Sequence, residues 1–173
     1  ACEKGVHFVS GLLTPDTVCL AILLNRQLHL LKKHSAAVII GITYGGITSA
    51  VCVFLLCRVF GLGHQHYVTL LPKSITTAIG MGVSEEAGGI VTLTVMSIVI
   101  TGIVGNMCAE LFCKIAKITH PVARGLAIGT SSHALGTAKA LEMGEVEGAM
   151  SSLSIAVAGL MTVIVVPMVS GLI

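Results

Sequence analysis

Charge is what this sequence has least of: Lys, Arg, Asp and Glu make up 10% of its 173 residues, against roughly 25% in soluble domains. That shortage excludes an ordinary soluble globular domain. Tryptophan is absent, and Tyr44 and Tyr67 are the two tyrosines available as interfacial anchors, so an aromatic belt is weak. The ten Lys and Arg residues form no dense patch, so a net charge of +2 gives no footing for nucleic acid. The opening ACEKGVHFVSGLLTP lacks a basic region, an apolar core and a cleavage site in that order, and does not read as a secretory signal. It starts on Ala1 rather than Met, and the chain is expected to begin inside a longer protein.

What remains is apolar, at 54% of residues, and this points to an all-α, polytopic membrane protein forming one transmembrane domain over residues 1–173. Three segments are long enough for a crossing, which takes about 20 apolar residues: 36–58, 89–113 and 149–173. Ahead of each lies a segment too short, too polar or too broken for an ordinary span, at 12–25, 69–88 and 121–142. The six cysteines include two C-x4-C pairs, Cys52 with Cys57 and Cys108 with Cys113. On a helix, residues five apart diverge by about 140°, so neither pair converges on a metal ion. Buried, inert thiols are the expectation.

The broken segments share a pattern: proline, five mixed positions, then Ala-Ile, at Pro15–Ile22, Pro72–Ile79 and Pro121–Ile128. With one gap the first two units align further, placing Cys52 on Cys108, Cys57 on Cys113 and Arg58 on Lys114. Repeat units of about 12–62 and 69–118 follow, with 121–173 as a third broken segment and the last span. Arg26, Lys32 and Lys33 precede the first span, and Lys114, Lys117 and Arg124 follow the second. The positive-inside rule therefore places 26–35 and 114–120 in the cytoplasm. The two units then sit in opposite orientations, as in the inverted repeats of secondary transporters, where discontinuous helices meet near the midplane. A duplication that left only packing symmetry is the alternative.

Two polar stretches carry the candidate chemistry. Just past Pro72 come Lys73, Ser74, Thr76 and Thr77, a cation and three hydroxyls around an expected helix N-terminus. Such an end favours anions, and inside a membrane its free N–H groups must face protein, water or a ligand. A cap at the interface with Lys73 snorkelling into water would account for the same residues. The second stretch is GTSSHALGTAKALE, 129–142. As one helix, Gly125, Gly129, His133 and Thr137 would fall on one row, with Ser132, Gly136 and Ala140 beside it. Gly125, Gly129 and Gly136 then make a packing seam. With the hydroxyls bonded to backbone, the seam leaves Arg124, His133, Lys139 and Glu142 over, and ionisable groups at depth usually mark pathways or relays. Glu85, Glu86, Glu145 and Glu147 read as solvated loop charges or helix N-terminal acids, and Glu110 as a partner for Lys114 at i, i+4. A serine hydrolase built on His133 fails on geometry: Ser132 and His133 diverge by about 100° on a helix, and no acid has the spacing to orient the imidazole. No enzyme, metal or cofactor is expected.

At LLTPDTVCLAI, PKSITTAI and PVARGLAIGTSSHALGTAKALEMGEVEGA the sequence resembles the LrgB/CidB family of bacterial membrane proteins, over essentially its whole length. The expected fold is full spans alternating with broken or re-entrant half-helices, which the resemblance places in a bacterial cytoplasmic membrane. It also implies either a carrier of small monocarboxylates, of glycolate or glycerate as in plastid relatives or of pyruvate as in bacterial members, or an antiholin-like regulator of murein hydrolase activity and lysis. The regulator would act with a smaller LrgA/CidA-type holin-like membrane partner. A homo-oligomer in the lipid bilayer is expected in either case. The family often has proline where this chain has Leu23 and Ala78, so its helix breaks are expected to be softer. For the carrier, the expected anion site joins Lys73, Ser74, Thr76 and Thr77 to Arg124, Thr130, Ser131, His133 and Lys139.

Overall fold

The computed structural model describes residues 28–172, and every regular element among them is helical. The order is α1 (Leu28–Val59), α2 (His64–Leu70), α3 (Thr77–Glu86), α4 (Val91–Ile115), α5 (Pro121–Met143) and α6 (Glu145–Val169), closed by a 3-10 turn at Ser170–Leu172. The first broken segment, 12–25, lies outside the described residues.

Three stretches are long and apolar enough to cross a membrane: Val38–Val59, Val91–Ile115 and Glu145–Leu172. They correspond to the three expected spans. Their outer faces carry bare Ile, Leu, Val and Met, for example Ile40, Met107 and Met168, as lipid contact demands. The helix holding the first span is longer than expected. It takes in Lys32 and Lys33, which sequence reasoning left in a preceding loop, and its 32 residues make about 48 Å of helix, beyond the roughly 30 Å of a hydrocarbon core.

α1 and α4 end alike. Leu62 N–H bonds the Cys57 carbonyl at 2.9 Å and Ile118 N–H bonds the Cys113 carbonyl at 2.9 Å, each across a residue of positive φ, Gly61 or Lys117. This left-handed cap satisfies the last carbonyls of each helix. Cys57 and Cys113 are buried, whereas Cys52 and Cys108 are exposed, so each C-x4-C pair looks in two directions.

Between the spans the chain makes two helical hairpins. The stretch between the first two spans is partly helix, and the chain turns back between Thr69 and Ser84. Thr69 lies beside Ser84 and the start of α4: Ile90 N–H donates to Thr69 Oγ1 at 2.8 Å, Thr94 Oγ1 donates to the Thr69 carbonyl at 3.0 Å, and Ser84 Oγ sits 2.6 Å from Thr94 Oγ1. Nearer the tip, a Cβ on Gly80 would meet the Pro72 carbonyl at 3.5 Å. Glu85 and Glu86 close α3 as exposed helical residues rather than forming a turn.

The second hairpin is α5 itself. Helical backbone fails at His133, with φ 42° and ψ −139°, and the chain reverses there. A Cβ on Gly136 would meet Ile128 Cγ2 at 3.0 Å, whereas a straight helix would hold those residues about 12 Å apart. Gly129 and Thr137 both pack on Ser151, and Ile128 and Ala140 share one apolar cluster with Ala109 and Cys113. Residues 121–143 therefore enter and leave at the same membrane face. Each arm of about 15–18 Å reaches roughly half the bilayer. The hairpin stands at the Lys114 end of α4, the α2–α3 hairpin at the other, so the two point towards each other.

Candidate functional site

The first tip is residues 71–76. Pro72 is buried there, accepting a bond from Ile75 N–H at 3.4 Å, and does not open a helix. The helix starts at Thr77 instead, with Thr76 as its extended N-cap and no side-chain cap bond. Pro121, by contrast, does take the first turn of α5, as expected. At the first tip Lys73 Nζ donates to Ser74 Oγ at 2.9 Å. Among the described residues no carboxylate lies within ion-pairing reach of this ammonium.

The second tip is held by its histidine. Buried His133 places Nε2 2.9 Å from the Ile98 carbonyl. A carbonyl can only accept, so Nε2 carries the proton and donates. The ring lies over Gly102, where a Cβ would come within 2.7 Å of Cε1. Ile98 thus touches both hairpins, since its Cδ1 also occupies the space beside Gly80. The hydroxyls before the break bond back along their own helix: Thr130 Oγ1 to the Leu126 carbonyl at 2.7 Å, and Ser131 Oγ to the Ala127 carbonyl at 2.8 Å. Those bonds shield the backbone and leave oxygen lone pairs to accept from a guest.

Four of the expected site residues come together. Lys73 and Ser74 from the first tip, and Thr130 and Ser131 from the second, line one groove of about 850 Å³ against Tyr44 and Ser49 of α1. Thr76 and Thr77 are not on its walls. His133 points away from it, towards α4. Ser49 was missed in the sequence, where it is one hydroxyl in an apolar span. Its Oγ is buried without a hydrogen-bond partner among the described residues.

Arg124 and Lys139 sit elsewhere, in a charged pocket of about 310 Å³ at the Lys114 end. Lys139 is 2.9 Å from Glu142 and 3.7 Å from Glu110, and Glu110 also holds Lys114 at 2.9 Å. Arg124 faces Glu147 at 4.0 Å and donates from Nε to the Ile118 carbonyl at 2.7 Å. Each cation here has its own carboxylate, so the pocket is a neutral clasp rather than an anion site. Glu147 is a first-turn acid of α6, as expected, but buried rather than solvated, because the hairpin packs over it.

The glycines explain how closely the hairpin packs. A Cβ on Gly125 would strike the Glu147 carbonyl, and one on Gly129 the Ser151 carbonyl, so α5 and α6 approach backbone to backbone. Gly136 serves within the hairpin, facing Ser132 and Ile128 across the turn.

Residues 2–172 match the model of the LrgB-like family. The chain belongs to that family. Its relatives include the antiholin-like protein LrgB of Bacillus cereus (strain B4264), 39% identical over 166 residues, covering 96% of this chain and 72% of the relative. The antiholin-like protein LrgB of Bacillus anthracis (strain CDC 684 / NRRL 3495) matches to the same extent. No solved structure matches significantly. Family and fold agree on a multi-pass protein of the bacterial membrane, with three candidate crossings among the described residues.

Proposed function

We propose that this LrgB-like chain is a secondary carrier of small monocarboxylates. One observation carries it: two half-membrane hairpins, entering from opposite ends of α4, bring the Lys73 ammonium and the hydroxyls of Ser74, Thr130 and Ser131 to one groove near mid-membrane. A cation without a protein carboxylate suits a carboxylate guest, and Ser74 keeps a proton to donate to it. The lone pairs of Thr130 and Ser131 suit the hydroxyl of a 2-hydroxy acid such as glycolate or glycerate. Opposed broken helices around a midplane site are the arrangement that inverted-repeat carriers use for alternating access. On this reading Arg124 and Lys139 clasp the hairpin base, and His133 fixes its tip. Uptake of labelled pyruvate, glycolate and glycerate into proteoliposomes of the complete protein is the test. Saturable uptake that is lost in Lys73→Ala and kept in Lys114→Ala would confine binding to the groove.

The relatives' name favours a second reading, and supports it more directly than anything in that name supports transport. In that reading the chain is an antiholin-like regulator acting through contacts with a smaller holin-like membrane protein, and the glycine-packed hairpin matters for shape alone. Gly129→Leu would then abolish association with that partner, and no short acid would be carried.

A further inference from the structure

A second cavity continues the groove. It is smaller, about 90 Å³, and runs between α1, the first tip and α6 as far as Val169. The groove reaches the other way, to His120 at the start of α5. Three residues line both cavities: Ser49, Ser74 and Thr130. They come from three different elements, α1 and the two tips. Gly45, one turn before Ser49, leaves the room for this meeting, since a Cβ there would already sit 3.4 Å from Thr130 Oγ1. Everything else around the smaller cavity apart from Thr43 and Thr162 is apolar or glycine.

We propose that the two cavities form one path across the membrane, and that Ser49, Ser74 and Thr130 are its constriction, passing a small polar solute between them. This rests on the carrier reading and adds the route. The groove is the vestibule on the Lys114 side, and the smaller cavity is the exit towards the end of α6. Ser49 is the α1 hydroxyl that lines both cavities, and whereas Thr43 and Thr48 bond their own helix, its buried Oγ has no protein partner among the described residues to compete with a passing solute. Because two of the three hydroxyls ride on hairpin tips, a small movement of either tip opens or shuts the passage.

Single-cysteine accessibility tests this in the complete protein, with its native cysteines, six of them in this chain, replaced and one cysteine introduced at a time. Ser49→Cys and Thr130→Cys are labelled with a membrane-impermeant methanethiosulfonate in vesicles of each orientation. Ala127→Cys and Ala158→Cys mark the groove and the exit cavity. The path predicts that cysteines at 49 and 130 react from both faces, while 127 reacts at least tenfold faster from the Lys114 side and 158 from the opposite side. Reaction at 49 and 130 from one face alone, or from neither while 127 and 158 react, overturns it. Uptake in the same vesicles separates the two ideas. Two-sided labelling without carboxylate uptake upholds the path and removes the proposed substrate. Uptake with one-sided labelling removes the path alone.

Discussion

His133 Nε2 donates to the Ile98 carbonyl across 2.9 Å, tying the tip of one hairpin to the helix that separates it from the other. The tie is made by a residue with φ 42°, a backbone region that L side chains occupy at a cost of about 1–3 kcal/mol. His133→Ala keeps that strain and loses the hydrogen bond, while His133→Gly loses the bond but relieves the strain. The glycine variant should therefore be the more stable of the two by about 1–2 kcal/mol. Thermal unfolding in detergent measures it, and the reverse order would contradict a strained turn at this position.

The reversal itself can be measured. Spin labels at positions 128 and 140 would stand about 18 Å apart along one continuous helix. In the hairpin both side chains join the Ala109–Cys113 cluster, so a pair of cysteines there should cross-link with a short bifunctional reagent and report a distance well below the straight-helix value.

Gly125→Ala and Gly129→Ala should each lower stability by about 2 kcal/mol or more, because the added methyl meets backbone that cannot step aside. Gly46→Ala is the control. Nothing stands within 4 Å of a Cβ at that site, and the better helix propensity of alanine should make it neutral or slightly stabilising, by up to about 1 kcal/mol. Equal losses at all three sites would rule out backbone contact as the cause.

Arg124→Ala leaves buried Glu147 facing the hairpin without its cation and should cost on the order of 3 kcal/mol. Lys114→Ala breaks an exposed pair with Glu110 and should leave the melting temperature unchanged. Glu147→Gln in the Arg124→Ala background should restore much of the loss, since the stranded charge is then gone.

The spans were legible because twenty apolar residues in a row have few other uses. The hairpin tips were not. His133 is neither glycine nor proline, so GTSSHALGTAKALE did not mark where the broken segment turns, nor whether it crosses or re-enters, and its glycines scan as one unbroken seam. In the folded chain Gly125 and Gly129 face α6 while Gly136 faces back across the turn. The same misplacement split the expected site. On one helix Arg124 and Lys139 bracket His133, but folding the helix in half carries both to its base beside Glu110 and Glu147. Pro72 misled in the other direction: it marked a break correctly, yet the helix begins only at Thr77. Ser49 was invisible because a lone serine in a membrane helix usually bonds its own backbone, as Thr43 and Thr48 do in α1.

Uptake with and without the Lys73 ammonium bears most directly on the function. Proteoliposomes carrying the complete protein should take up labelled pyruvate or glycolate saturably. Lys73→Ala should lose at least tenfold of that rate, equivalent to about 1.4 kcal/mol of carboxylate recognition, while Lys114→Ala keeps it. Uptake no greater than in empty liposomes, or full uptake by Lys73→Ala, would contradict a carboxylate site between the hairpin tips.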